Sequence, residues 1–256
     1  MGVELALFGA KGAAGVTTLG EAIVALYARR RLALLAELDP DGGDRAASPG
    51  LALDPGLATL AASVRHQAIT GEDVAAHLQP LPAGGYVLVA PASAEQAHAA
   101  LDAVVDRLAP ALASMQEWSV VADCGRMRSR SPSVELAAHA EVVAVVTRPT
   151  LEGVEHTRER LSLLRDVAPR LGVILVGHRG YSRARVAEVL GVPVYGVVAD
   201  DARGAELVRS GQGASRAGRR TALMRSVATL ADSLAANAPA SPAPSGAADL
   251  PVGVIA

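Results

Sequence analysis

The sequence predicts an α/β domain: a mostly parallel, twisted sheet of about seven to eight strands with helices on both faces. Three observations predict it. Short apolar runs rich in Val, Leu and Ala alternate with helix-length segments, the pattern of strands covered on both faces. The first run, Val3–Phe8, leads straight into a glycine-rich turn and then a helical stretch. The chain has 256 residues, 50% hydrophobic but only 2% aromatic, so a single large core must be built from small aliphatic side chains with close helix–sheet packing.

The elements follow in order. Strands are expected at Val3–Phe8, Leu32–Leu38, Tyr86–Ala90, Ser119–Asp123, Val142–Thr147, Val173–Val176 and Val194–Val198, each a short continuous apolar run. Helices are expected at Thr18–Arg30, Pro55–Val64, Glu72–Leu78, Ala94–Ser114, Leu151–Val167, Ser182–Leu190 and Thr221–Ala235. Thr70-x-x-Asp73 has the form of a helix start, in which two side chains and two backbone N–H groups satisfy one another. From Asn237 the composition turns to Ala, Pro, Ser and Gly. Residues 1–236 are therefore read as the domain and 237–256 as a disordered tail. The tail closes on an apolar stretch, Leu250–Ala256, without the basic and aromatic residues of a membrane-surface helix, so no membrane anchor is expected.

The chemistry concentrates in the turn Gly9-Ala10-Lys11-Gly12-Ala13-Ala14-Gly15-Val16-Thr17-Thr18. Strand, glycine turn and helix in succession form a phosphate-binding loop, whose backbone N–H groups and helix N-terminus face an anion. Of the 24 basic residues, Lys11 is the single lysine. A compact ammonium on a flexible stem fits between phosphate oxygens where a planar guanidinium does not.

This turn resembles the deviant Walker A loop of the MinD/ParA family, K-G-G-x-G-K-T-T. Lys11 matches the signature lysine, Gly12 and Gly15 match glycines, and Thr17 and Thr18 match the threonine pair. Ala13 replaces a glycine, Ala14 stands at the variable position, and Val16 replaces the second lysine. Further segments match in order. Glu37-Leu38-Asp39-Pro40-Asp41-Gly42 resembles switch I, Trp118–Asp123 resembles Walker B, and Val192–Asp200 resembles the last strand.

The resemblance implies a single P-loop NTPase-like domain that binds ATP or ADP with Mg²⁺. It implies nucleotide contacts from Gly12, Ala13, Ala14, Gly15, Val16, Thr17 and Thr18. It implies metal binding by Thr17, and by Asp123 through water. Asp39 would orient the attacking water, and Lys11 would reach a second protomer's phosphates, hence a homodimer. Other readings stay open: Thr17 and Thr18 also suit helix caps, Asp39 or Asp123 could pair with an arginine at a strand end, and Lys11 could be a solvated loop residue. Valine at position 16 removes a charge-assisted contact worth about 1.5–3 kcal/mol, so hydrolysis is expected to be impaired or absent.

The remaining features bound the function. A formal net charge of −2 gives no global pull toward nucleic acid or anionic lipid. The single cysteine, Cys124, permits no internal disulfide and suits a reducing, cytoplasmic setting. The chain enters its first strand directly, so no signal peptide is expected, and no apolar run has transmembrane length. Six histidines show no metal-binding spacing. Gly177-His178-Arg179 stands where relatives carry an adenine-reading Asn, and Arg126, Arg128 and Arg130 alternate after the Walker B-like strand, as a solvated loop, a partner surface or a substitute positive charge. Arg216, Arg219, Arg220 and Arg225 form either a DNA-binding cluster or a solvated helix face. The expected function is that of an atypical MinD/ParA-like protein that dimerises and positions or regulates a partner complex of a division, pilus/secretion or segregation system. The alternatives are a slow MgATP-dependent switch using Lys11 in trans and a non-specific DNA-binding segregation protein.

Overall fold

The computed structural model describes residues 3–11, 15–48, 50–64 and 67–236. The expected tail, 237–256, lies outside them, as do Gly12, Ala13 and Ala14 of the loop. The elements run β1 (Val3–Gly9), α1 (Val16–Tyr27), β2 (Leu32–Glu37), α2 (Leu57–Val64), α3 (Gly71–Ala76), β3 (Gln79–Pro80), β4 (Tyr86–Leu88), α4 (Ala94–Ser114), β5 (Trp118–Arg126), α5 (Glu135–His139), β6 (Ala140–Thr147), α6 (Leu151–Arg165), β7 (Leu171–Val176), α7 (Arg183–Leu190), β8 (Val194–Val198), α8 (Ala202–Arg209) and α9 (Ala222–Ala236).

One eight-stranded sheet has the order β3-β4-β2-β5-β1-β6-β7-β8. Only β3 is antiparallel, pairing with β4 at the edge. Side chains alternate across the sheet as the two-residue strand period requires. From β1, Ala6 and Phe8 face one layer with Leu57, Leu101, Leu136, Leu161 and Val186 of α2, α4, α5, α6 and α7. Leu5 and Leu7 face the other layer with Ile23, Val208 and Leu230 of α1, α8 and α9. Each fully buried Leu is worth about 1.5–3 kcal/mol of transfer free energy. Aromatic-poor packing demands close approach, and Gly20 provides it: a Cβ there would lie 2.9 Å from a Leu35 methyl, so α1 settles directly on β2.

β1 lies at the centre of the sheet, between β5 and β6, although they follow it far along the chain. This crossing is a topological switch point, where parallel α/β sheets open a crevice at the carboxyl ends of their strands. The register brings Leu7 of β1 and Glu37 of β2 level with Asp123 of β5.

The expected elements are present with shifted ends. α1 begins at Val16 rather than Thr18, because Gly15, at φ 81°, turns the chain into the helix early. Asp123 is interior to β5 rather than at its end, since Gly9 pairs on to Arg126. Thr70 and Asp73 form the reciprocal capping box. β3, α5 and α8 were not expected. β3 has only two residues and α5 only five, while α8 is a short polar helix started by the Asp201 carboxylate accepting from Gly204 N–H at 2.9 Å.

Candidate functional site

The site is built where β1, β2 and β5 end beneath the start of α1. No side chain caps α1, and its first turn holds no acidic residue. Its leading N–H groups have no acceptor within the helix, so an anion would complete them.

Val16 is 9% exposed and belongs to the cluster with Leu19, Ile23 and Val24. Its Cγ2 would lie 3.2 Å from a Cβ on Gly9. The Val16 side chain thus packs against the end of β1 at the first position of α1. Lys11 is exposed on the lip. The Glu152 carboxylate, at the start of α6, is held below its usual range by its own N–H and by Thr150, and further by the charge of Lys11.

Asp123 accepts from Gly125 N–H at 3.0 Å, and the Thr17 hydroxyl lies near enough to favour its carboxylate form. Asp123 is 2% exposed. Burial pushes its pKa up to about 6 against these two influences, and the charges of Asp39 and Asp44 push the same way as burial. Neither capping by Thr17 nor an arginine pair for Asp123 is seen among the described residues. Thr18 is half-buried beside Thr17.

Asp39 lies over Gly125. Its Oδ1 accepts from Asp41 N–H at 2.8 Å, and burial raises its pKa above the ordinary value. Gly125 has φ 61°, and a Cβ there would fall 1.8 Å from Asp39 Cγ. Leu38 N–H bonds to the Asp123 carbonyl at 2.8 Å, which ties the two acid-bearing strands together at the crevice.

Two further acids hold the loop after β2 in place. Buried Glu37 accepts from the N–H groups of Asp44 and Arg45, both at 3.0 Å, and of Ala90 at 3.1 Å, and burial lifts its pKa to about 7. Glu21 of α1 pairs with Arg45 at 2.7 Å, both side chains being almost wholly buried. Sequence reasoning missed the Glu21–Arg45 pair. An acid in an apolar helix, Glu21 among Ala, Ile and Val, was the available signal.

Arg128 is bound to Asp41 at 2.7 Å, and Arg126 lines a groove against α6. His178 and Arg179 are exposed after β7, next to the Arg148–Asp200 ion pair on the adjacent strand ends. Arg216, Arg219, Arg220 and Arg225 are exposed. Cys124 is buried, and burial raises its thiol pKa, so it is an inert packing group.

A threonine hydroxyl and a carboxylate are hard oxygen donors suited to a hydrated Mg²⁺, and uncapped helix amides suit a phosphate. The part absent from this donor set is a cation at position 16. No cluster of three His, Cys, Asp or Glu able to hold a metal exists among the described residues. No described helix is long and apolar enough to cross a membrane.

The fold and the crevice define a P-loop NTPase-like α/β domain. The chain matches no family model and no curated protein at the sequence level. Solved structures match it over nearly their whole length. A ParA family ATPase from Chlorobium tepidum superposes with a TM-score of 0.74 at 16% identity, covering 92% of this chain and 99% of its own. The cell division ATPase MinD of Pyrococcus furiosus gives 0.73 at 20%, covering 93% and 100%. The septum site-determining protein MinD of Pyrococcus horikoshii, solved with Mg-ADP, gives 0.64 at 18%, covering 91% and 95%. This chain has the fold of those proteins.

Proposed function

We propose that this chain is a MinD/ParA-like positioning protein whose nucleotide hydrolysis is impaired or absent, acting as a homodimer on a protein partner. The observation that carries the reading is the state of the crevice. The Thr17–Asp123 pair and the uncapped start of α1 are kept, and an aliphatic side chain occupies the position of the phosphate-gripping lysine.

In this reading the residues from Gly12 to Thr18 would hold ATP or ADP, Thr17 and, through water, Asp123 would hold Mg²⁺, and the metal would supply neutralisation of phosphate charge. Asp39 holds the water opposite, and Lys11 belongs to the phosphates of the second protomer. Phosphoryl transfer depends on such positioning and charge stabilisation, and Val16 adds no charge.

Isothermal titration with ATP and ADP in the presence of Mg²⁺ tests this. Weak binding that Val16→Lys strengthens by about tenfold or more, with no phosphate release by the native chain, is the expected outcome. Brisk magnesium-dependent phosphate release by the native chain would refute it.

The exposure of Lys11 on the lip of the loop favours a second reading, a slow ATPase in which Lys11 does the work of both lysines. Turnover that persists unchanged in Val16→Lys and vanishes in Lys11→Ala would select it.

A further inference from the structure

We propose that the groove between the segment following β5 and the middle of α6 is a docking site for an acidic segment of a protein partner. The groove is an open surface depression of about 450 Å³. Arg126, Arg128 and Arg160 line it against a single acid, Glu159, while the half-buried Leu163 supplies apolar surface. With the Asp41 carboxylate on Arg128 counted, three guanidinium groups face two carboxylates, a local surplus of one positive charge in a chain whose formal net charge is −2.

These cations are poorly matched from within. Arg126 is half-buried at the end of β5 and has no ion-pair partner among the described residues. Arg160, also half-buried, donates among the described residues only to the carbonyl of His156, at 3.3 Å. Only Arg128 has a carboxylate, Asp41 at 2.7 Å, and that bridge is open to solvent, with the side chains 56% and 33% exposed. A half-buried guanidinium without an anion leaves desolvation uncompensated, and its planar fork suits bidentate capture of a carboxylate. An apolar residue beside such carboxylates would rest on the half-buried Leu163.

The groove is linked to the crevice. Asp41 donates its N–H to Asp39 Oδ1 and lends its carboxylate to Arg128. A partner carboxylate that takes Arg128 frees the Asp41 carboxylate, two residues from Asp39, while Glu37 and the Glu21–Arg45 pair still hold the loop. This deepens the proposed function by naming its partner face, and it rests on that reading only for the role of Asp39.

The test uses the full chain without nucleotide, so its failure leaves the nucleotide titration untouched. The probe is a short fluorescein-labelled peptide of glutamates with interspersed leucines, read by anisotropy. Arg126→Glu and Arg160→Glu are each expected to weaken binding about tenfold or more, and Arg219→Glu/Arg220→Glu, remote in sequence and exposed, to leave it unchanged. Equal loss in both sets, or no loss in either, overturns the proposal. So does a labelled DNA duplex that binds in an Arg126-dependent way where the peptide does not. Hydrogen exchange on the native chain covers a variant that fails to fold. Peptide-induced protection at residues 126–129 and 159–163 supports the site, and protection confined elsewhere overturns it.

Discussion

At Gly125 the crevice depends on a missing atom. Its φ of 61° suits glycine, and the Asp39 carboxyl occupies the space a side chain would need. Gly125→Ala is therefore expected to lower stability by about 1–3 kcal/mol or to drive Asp39 out of the crevice. Thermal unfolding measures the first, and loss of any Mg-nucleotide heat signal measures the second. An unchanged melting temperature with unchanged binding would contradict this account. Residues bearing a motif could be picked out beforehand: Thr17 and Asp39 both lie within electrostatic reach of Asp123. Gly125 and Glu37 were harder to read, because their roles come from strand register, which places Glu37 level with Asp123. Val16 was legible as an aliphatic residue in the glycine-rich turn. That it packs into the α1 layer became visible only with the helix starting two residues earlier than its sequence pattern suggested.

Between elements, the buried Glu21–Arg45 bridge joins α1 to the loop after β2. Burial outweighs the attraction of Arg45 and raises Glu21 to about 7 from 4.5. A raised folded pKa favours the protonated fold. The stability it contributes is complete below about 4.5 and is lost as pH rises through about 7. Glu37, also near 7, acts in the same direction. Urea midpoints are expected to fall between pH 5 and pH 8, and Glu21→Leu/Arg45→Leu is expected to flatten that fall and to match or exceed the native chain at pH 8. Glu21→Ala alone leaves a buried cation, also lacking a partner for Nε, and is expected to cost about 3–5 kcal/mol. A double variant as damaged as the single one would show that the pair is a net stabiliser. Among elements, the buried strands and the long helices were legible from apolar runs. The short pieces, β3, α5 and α8, carry too few residues for any period to register, and tertiary contact decides them.

For the whole molecule, the strand order explains why one end of the sheet holds everything chemical: β1 rises between β5 and β6, and the ends of β1, β2 and β5 meet there. Alternation of strands and helices announced the parallel sheet, but the order of strands across it lies in long-range pairing that no local pattern encodes. Sedimentation velocity checks the proposed dimer. Mg-ATP is expected to raise the sedimentation coefficient of the native chain and of Val16→Lys, and Lys11→Ala to abolish the increase while leaving the nucleotide-free species unchanged. An increase that survives Lys11→Ala would remove the lysine from the subunit contact.

Because Lys11 is exposed and the chain has no other lysine, the loop carries its own attachment point. Apart from the α-amino group, an acylating dye has one amine to react with, and it stands at the mouth of the crevice. Reagent consumption at that amine, followed as the ligand is varied, becomes a direct gauge of whether the mouth is open or covered.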